Sequence, residues 1–140
     1  MKVAVSATGN QLDSAIDARF GRCAYFLIVD TENMSVEAFS NESGALGGGA
    51  GIQSAQFIAS KGIQFVITGN CGPEAIYTLS AAGIGVILGQ SGAAKEAIER
   101  FNRGELRPAS EANVVAHYQM EAGPGASRRD EIDSGPGREV

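Results

Sequence analysis

Five apolar residues follow one another at Tyr25-Phe26-Leu27-Ile28-Val29, and Asp30 ends the run. A short, uninterrupted apolar stretch closed by polar residues reads as a buried strand. Beyond the turn Thr31-Glu32-Asn33, the residues Met34, Val36 and Ala38 fall on alternate positions. Residues 34–39 are therefore predicted to pair with residues 25–30 as an antiparallel hairpin. Residues 2–6 alternate weakly and form a shorter first strand. From Gly51 the period lengthens: Ile52, Ala55, Ile58 and Ala59 share one helical face, and Gly62 closes the segment as a C-terminal cap. Residues 63–68 read as a strand. Pro73 then opens a second helix through residue 82, with Ile76 and Leu79 inward and Gly83 at its end. A strand at 84–88 follows. The third helix is predicted to start near Ser91 as N-cap, to carry Ala94, Ala97, Ile98 and Phe101 as its apolar stripe, and to stop at Gly104.

This order implies parallel strand pairs with right-handed crossovers, and the hairpin forces one antiparallel strand among them. The predicted fold is α/β, a five-stranded mixed sheet flanked by helices on both faces. Past Pro108 the periodicity fades. Residues 121–140 mix Gly, Pro, Ser and charge and cannot repay the entropy of ordering. One α/β domain over residues 1–107 is expected, with a C-terminal extension, 108–140, disordered at least from 121.

Composition narrows the function. A chain of 140 residues, 44% hydrophobic with a formal charge of -5, can bury one core but hardly two. A pI near 4.8 argues against nucleic acid, whose binding rests on clustered Lys and Arg. The N-terminus turns polar too early for a signal peptide, and no apolar run approaches the ~20 residues of a membrane span. No membrane association and a cytoplasmic location are expected. In that reducing compartment Cys23 and Cys71 are free thiols or ligands rather than a disulfide.

Three connections carry the candidate chemistry. Thr68-Gly69-Asn70-Cys71-Gly72-Pro73-Glu74 sets Cys71 where a strand hands over to a helix. The positive end of the helix dipole should draw a thiol of ordinary pKa ~8.5 towards thiolate, a nucleophile or soft-metal ligand. Residues 7–24 form a long structureless link containing Asp17-Ala18-Arg19-Phe20-Gly21-Arg22-Cys23, where two guanidinium groups and a thiol could hold an anion. The run from Gly44 to Gly51, with Gly47, Gly48 and Gly49, enters a helix directly, and successive glycine N–H groups there make an anion nest. In a parallel α/β sheet the glycine run and the Cys71 turn share the ligand-binding edge. Folding of the arginine loop over that edge would complete a site for a soft, negatively charged ligand.

Blander readings compete at each position. Cys71 and Cys23 could be small buried hydrophobes. Arg19 and Arg22 could pair with Asp13 and Asp17 at the surface, and the glycine run could be a hinge. It matches no Walker loop. His117, the sole histidine, reads as solvated. Neither Cys71 with His117 nor Asp13, Asp17 and Asp30 makes a persuasive catalytic set, so no enzyme is expected.

The stretches ARFGRCAYFLIVD from Ala18, GAGIQSAQFIASKG from Gly49 and VITGNCGPEAIYTLSAAGIGV from Val66 occur in matching order, and with them the chain resembles the dinitrogenase iron-molybdenum cofactor biosynthesis family over residues 1–104. That family includes nitrogenase cofactor carriers and small stand-alone members. The resemblance implies a ribonuclease H-like fold without nuclease activity, and non-enzymatic binding or carriage of an anionic iron-sulfur or molybdenum-containing sulfide cluster. A cofactor-assembly or acceptor protein would be the partner. Cys71 would be the principal ligand and Cys23 a second. Arg19, Arg22, Gly47, Gly48, Gly49, Gly51, Asn70 and Gly72 would form the cradle. The CxxxCxxC motif of the family's radical enzyme is absent, so this chain does not build the cofactor precursor. The competing reading is a metal-free module that binds a small anion or another protein at the same edge.

Overall fold

A computed structural model of the chain describes residues 1–42 and 49–109. Gly47, Gly48, His117 and the extension from residue 110 lie outside the described residues. Eight elements follow in chain order: β1 (Lys2–Ala7), β2 (Tyr25–Asp30), β3 (Val36–Ser40), α1 (Ala50–Ala59), β4 (Phe65–Ile67), α2 (Pro73–Ala81), β5 (Gly85–Ile87) and α3 (Ala94–Asn102). The strands make one mixed sheet in the order β3-β2-β1-β4-β5. β2 is antiparallel to both β1 and β3, whereas β4 is parallel to β1 and β5. This is the five-stranded α/β architecture expected from the periodicities.

Burial on both faces accounts for the unbroken apolar runs. β1 is central, and its residues from Val3 to Ala7 are inaccessible to solvent. On one face Val3, Val5, Leu27, Val29, Ile67 and Ile87 pack with Ala94, Ala97 and Ile98 of α3. The alternate positions face the other way, where the Phe26 ring lies 6.3 Å from Phe57 of α1. α2 packs beside α1. Gly85 leaves room for the Phe65 ring, whose atoms stand 2.7 Å from where a Cβ would sit, and that ring tilts against Phe101 at 5.3 Å.

Three expectations needed correction. First, β3 begins at Val36 rather than Met34. Met34 adopts φ 60 and donates its N–H to Asp30 O at 2.8 Å, and Asn33 Oδ1 accepts from Ser35 N at 2.9 Å, so the turn extends through residues 33–35. The strand is also largely exposed, because a sheet edge buries little of its surface.

Second, Ser91 does not cap α3. The residue before the helix is Ala93, which offers no side-chain acceptor. The loop after β1 supplies the cap instead: Ser14 O accepts from Ala94 N and Leu12 O from Lys95 N, both at 2.8 Å. Backbone carbonyls thus satisfy the orphan donors that a serine was expected to satisfy.

Third, residues 8–24 are irregular but held at many points. Ala7 bridges Ile16 and Ala15 bridges Ala93, both antiparallel, while Arg19 bridges Asn70 in parallel. Beyond α3 the chain returns to β5, where Ala109 N donates to Val86 O at 2.6 Å.

The capping arrangement makes Ser91→Ala a discriminating change. It should alter the urea-unfolding free energy by no more than about 0.5 kcal/mol, as for an ordinary surface substitution, instead of the ~1 kcal/mol that a lost N-cap costs. A loss of the larger size, with unchanged denaturant slope, would return the capping role to Ser91.

Candidate functional site

The loop after β1 is drawn across the end of the sheet by a pair of buried hydroxyls. Ser6, near the end of β1, and Thr68, just after β4, are both fully buried. Ser6 Oγ lies 2.7 Å from Asp17 O and 2.7 Å from Thr68 Oγ1. A carbonyl only accepts, so the Ser6 proton goes to Asp17 and the Thr68 proton completes the second contact. Asp17 N donates to Ser6 O at 2.9 Å, so the attachment runs in both directions.

From there the loop meets the Cys71 turn. Phe20 N donates to Asn70 O at 3.1 Å, and Asn70 N donates to Ala18 O at 2.6 Å. Gly69 is needed at this point: a Cβ on it would stand 2.8 Å from Ala18 Cα and 3.0 Å from Ala18 O. The loop also meets the first turn of α1, where a Cβ on Gly21 would stand 2.8 Å from Gly51 Cα and 2.9 Å from Gly51 N. Gly21 O accepts from Ser54 Oγ at 3.3 Å and from Asn41 Nδ2 at 3.1 Å. Finally, a Cβ on Gly51 would reach within 3.5 Å of Ala75 Cβ, which brings the first turns of α1 and α2 side by side.

The structure thus gathers the arginine loop, the start of α1 and the Cys71 turn at one end of the sheet. Gly49 is the N-cap of α1 at φ 89, Gly72 is the N-cap of α2 with Pro73 behind it, and neither supplies a side-chain cap. Two helix N-termini therefore converge, each carrying the partial positive charge of its aligned peptides. Gly49, Gly51, Asn70, Cys71 and Gly72 belong to this convergence.

The two arginines are placed differently from a free pair of cations. Arg19 is largely exposed but its guanidinium grips Asp17, with Nε 3.3 Å from Oδ1 and Nη2 3.4 Å from Oδ2. Asp17 also accepts from Arg19 N at 3.1 Å. Asp17 is only 7% exposed, so the expected pairing of Arg19 with Asp17 is anchored on a buried carboxylate rather than at the surface. Its burial fixes the guanidinium by a fork of charge-assisted bonds. Arg22 is exposed on the same loop. Asp30 lies elsewhere, beside the N-terminal amine of Met1 at 3.9 Å. Among the described residues no three His, Cys, Asp or Glu side chains gather as a metal site.

Both cysteines are free and buried. Burial pushes the Cys71 thiol up to about 12, against the expectation of a thiolate drawn out by the helix dipole. Magnitudes decide the outcome. Raising the thiol from 9.0 to about 12 corresponds to roughly 4 kcal/mol against the anion, whereas a helix terminus offers about 0.3–1 kcal/mol and ~2 at best. The Cys23 thiol is also raised to about 12, by burial first and then by the Asp17 charge, with the Asn41 hydrogen bond opposing. Asn41 Nδ2 lies 3.7 Å from Cys23 Sγ and 3.0 Å from Cys23 O, so Cys23 belongs to the network that closes the loop.

Sequence reasoning gave no role to Ser6, Thr68, Asn41 or Ser54, because the partners they bond lie far away in the chain. Gly21 and Gly69 carried a clearer signal, as glycines inside the loop and the turn already singled out.

The dinitrogenase iron-molybdenum cofactor family model matches residues 1–104. The apo form of the orange protein from Desulfovibrio gigas is 39% identical, covering 80% of this chain and 95% of its own, with a TM-score of 0.78. The NMR structure of a NifB-like protein from Thermotoga is 38% identical, covering 76% of this chain and 91% of its own, with a TM-score of 0.67. An uncharacterised protein of Methanocaldococcus jannaschii, MJ0580, is 33% identical over 109 residues, 76% of this chain and 89% of that protein.

Two consequences of this geometry are measurable. Gly69→Ala drives a methyl group into the Ala18 backbone and should cost about 1–3 kcal/mol, the usual range for overpacking, with the loss read from urea midpoints. An unchanged midpoint would mean that the loop does not bear on Gly69. Thiol acidity and stability are also linked. Because both folded thiols titrate near 12, above their unfolded value, their contribution is intact below about pH 8 and is lost as pH rises through about 9 towards 12. Unfolding free energies measured over that range should decline, and Cys71→Ala should flatten the decline.

Proposed function

The chain belongs to the dinitrogenase iron-molybdenum cofactor family, and from that premise we propose that it binds and carries a preformed anionic metal-sulfur cluster, iron-sulfur or molybdenum-containing, without transforming it. One observation carries the reading: the first turns of α1 and α2, neither with a side-chain cap, meet at Gly51 and Ala75 under the arginine loop. Backbone N–H groups at helix N-termini suit an anion, and Arg19, held by Asp17, adds an oriented cation at the rim. Gly47, Gly48, Gly49, Gly51, Asn70 and Gly72 form the proposed cradle, with Arg19 and Arg22 beside it.

The donor set fits a cluster that arrives with its own sulfide ligands better than a bare ion. Cys71 at the start of α2 is the proposed protein thiolate, and Cys23 a second. Each is protonated near neutral pH, so ligation must expel a proton, and uptake should weaken as pH falls. The partner would be a protein that assembles or accepts the cluster, in the cytoplasm. Among the described residues no helix is long and apolar enough to cross a membrane.

The raised pKa values of both buried thiols favour a second reading, in which the same edge holds a small anion without any sulfur bond. Anaerobic reconstitution with iron and sulfide, or with thiomolybdate, separates the two. Ligation by Cys71 should give a visible charge-transfer band of defined stoichiometry that Cys71→Ala weakens or abolishes and Cys23→Ala weakens less. Arg19→Gln with Arg22→Gln should lower uptake most at low salt, where screening is least. Undiminished binding by the double cysteine variant would leave only an electrostatic pocket. Loss of neither band nor affinity in any of these variants would place the cluster elsewhere.

A further inference from the structure

β3 is the last strand on its side of the sheet, and the phase of its hydrogen bonds can be fixed. Asp30 N donates to Ser35 O and Asn41 N to Ala24 O, each at 2.9 Å. In an antiparallel ladder bonded and non-bonded pairs alternate, so residues 37 and 39 turn their peptide groups towards β2. Val36, Ala38 and Ser40 turn theirs outward. All three residues are exposed, and among the described residues no strand pairs with that edge.

The geometry points to this edge as the contact between two copies of the chain, paired antiparallel about a twofold axis through Ala38. Ala38 then opposes the partner's Ala38, and Val36 opposes the partner's Ser40. These are the residues whose outward groups can exchange bonds, about six across the pair. Side chains at the axis are small. The non-bonded positions set Glu37 opposite the partner's Phe39. Within each copy the Lys61 ammonium stands over Phe39, 4.5 Å from the ring centroid, and 5.3 Å from that of Phe57. The same aromatic rings border a groove of about 420 Å³ along β3. Each Glu37 is therefore carried towards the partner's Lys61, and the twofold repeats the complementary pair. Natural edges are commonly blunted by charge. Glu37 shares a groove with Lys2 of its own copy but makes no ion pair there among the described residues, so the partner's Lys61 gives it one, which favours a second copy over an unrelated strand.

Pairing through one short strand lies at the small end of protein interfaces, so association should be weak, with a dissociation constant on the order of 10–100 µM. Sedimentation velocity on the full chain from about 10 µM to about 1 mM should show a monomer–dimer equilibrium. Amide exchange at Val36, Ala38 and Ser40 should slow as concentration rises. Ala38→Pro removes a donor that β2 does not use, so it should keep the fold while shifting the chain to monomer. Glu37→Lys sets like charges together and should weaken the dimer by about tenfold; adding Lys61→Glu should restore it. The charge variants leave the backbone untouched and keep the test valid if Ala38→Pro unfolds. A monomer at every concentration would overturn the proposal and leave the edge to an extended segment of another protein. A dimer indifferent to both the charge reversal and its rescue would also overturn it.

Discussion

Everything at the candidate site depends on how closely three backbones approach at Gly21 and Gly69. Where a Cβ would come within 3 Å of another backbone, no side chain can yield enough to admit it, so glycine is dictated by contact. Gly21 lets the arginine loop lie on the first turn of α1. Gly69 lets the same loop lie on the turn after β4. The polar bonds of Ser6, Thr68, Asn41 and Ser54 then close a path from β1 to both helix starts.

Long-range periodicity made the scaffold legible. Residues 25–30 read as a strand because both faces of a near-central strand are buried, and Pro73, Gly62 and Gly83 marked helix boundaries through local backbone preference. What could not be read were partnerships between segments distant in sequence. Ser91 carried the right side chain for a cap, but the carbonyls that cap α3 belong to residues 12 and 14, and nothing local announces them. Met34 continued an alternating pattern into a turn because pattern alone does not weigh a backbone bond to Asp30. Likewise Asp17 looked like any loop carboxylate until the fold enclosed it.

Cys71 shows the limit most clearly. Its place at the head of α2 was legible, but its acidity was not, since acidity depends on water that the rest of the fold excludes. Dipole and burial act on the same sulfur in opposite directions, and burial is the larger by a factor of two or more. A thiol held neutral in this way is protected from casual oxidation and alkylation, chemistry that proceeds through the thiolate.

The net charge of -5 bears on the proposed cargo. A negative chain repels a negative cluster at long range, so attraction must come from groups within a Debye length, about 10 Å at 0.1 M salt. Converging helix starts satisfy that condition because their partial charges are fixed and local. Arg19 satisfies it only in part, because the Asp17 carboxylate beside it offsets its charge. The gain is orientation: a guanidinium fixed by a buried carboxylate loses less freedom on meeting an anion than one that is loose. On the proposed reading, a site made of peptide dipoles, one oriented cation and a thiol that resists ionisation holds its cargo by many weak terms. Protonation of that thiol, or a competing set of ligands on an acceptor, is then enough to release it.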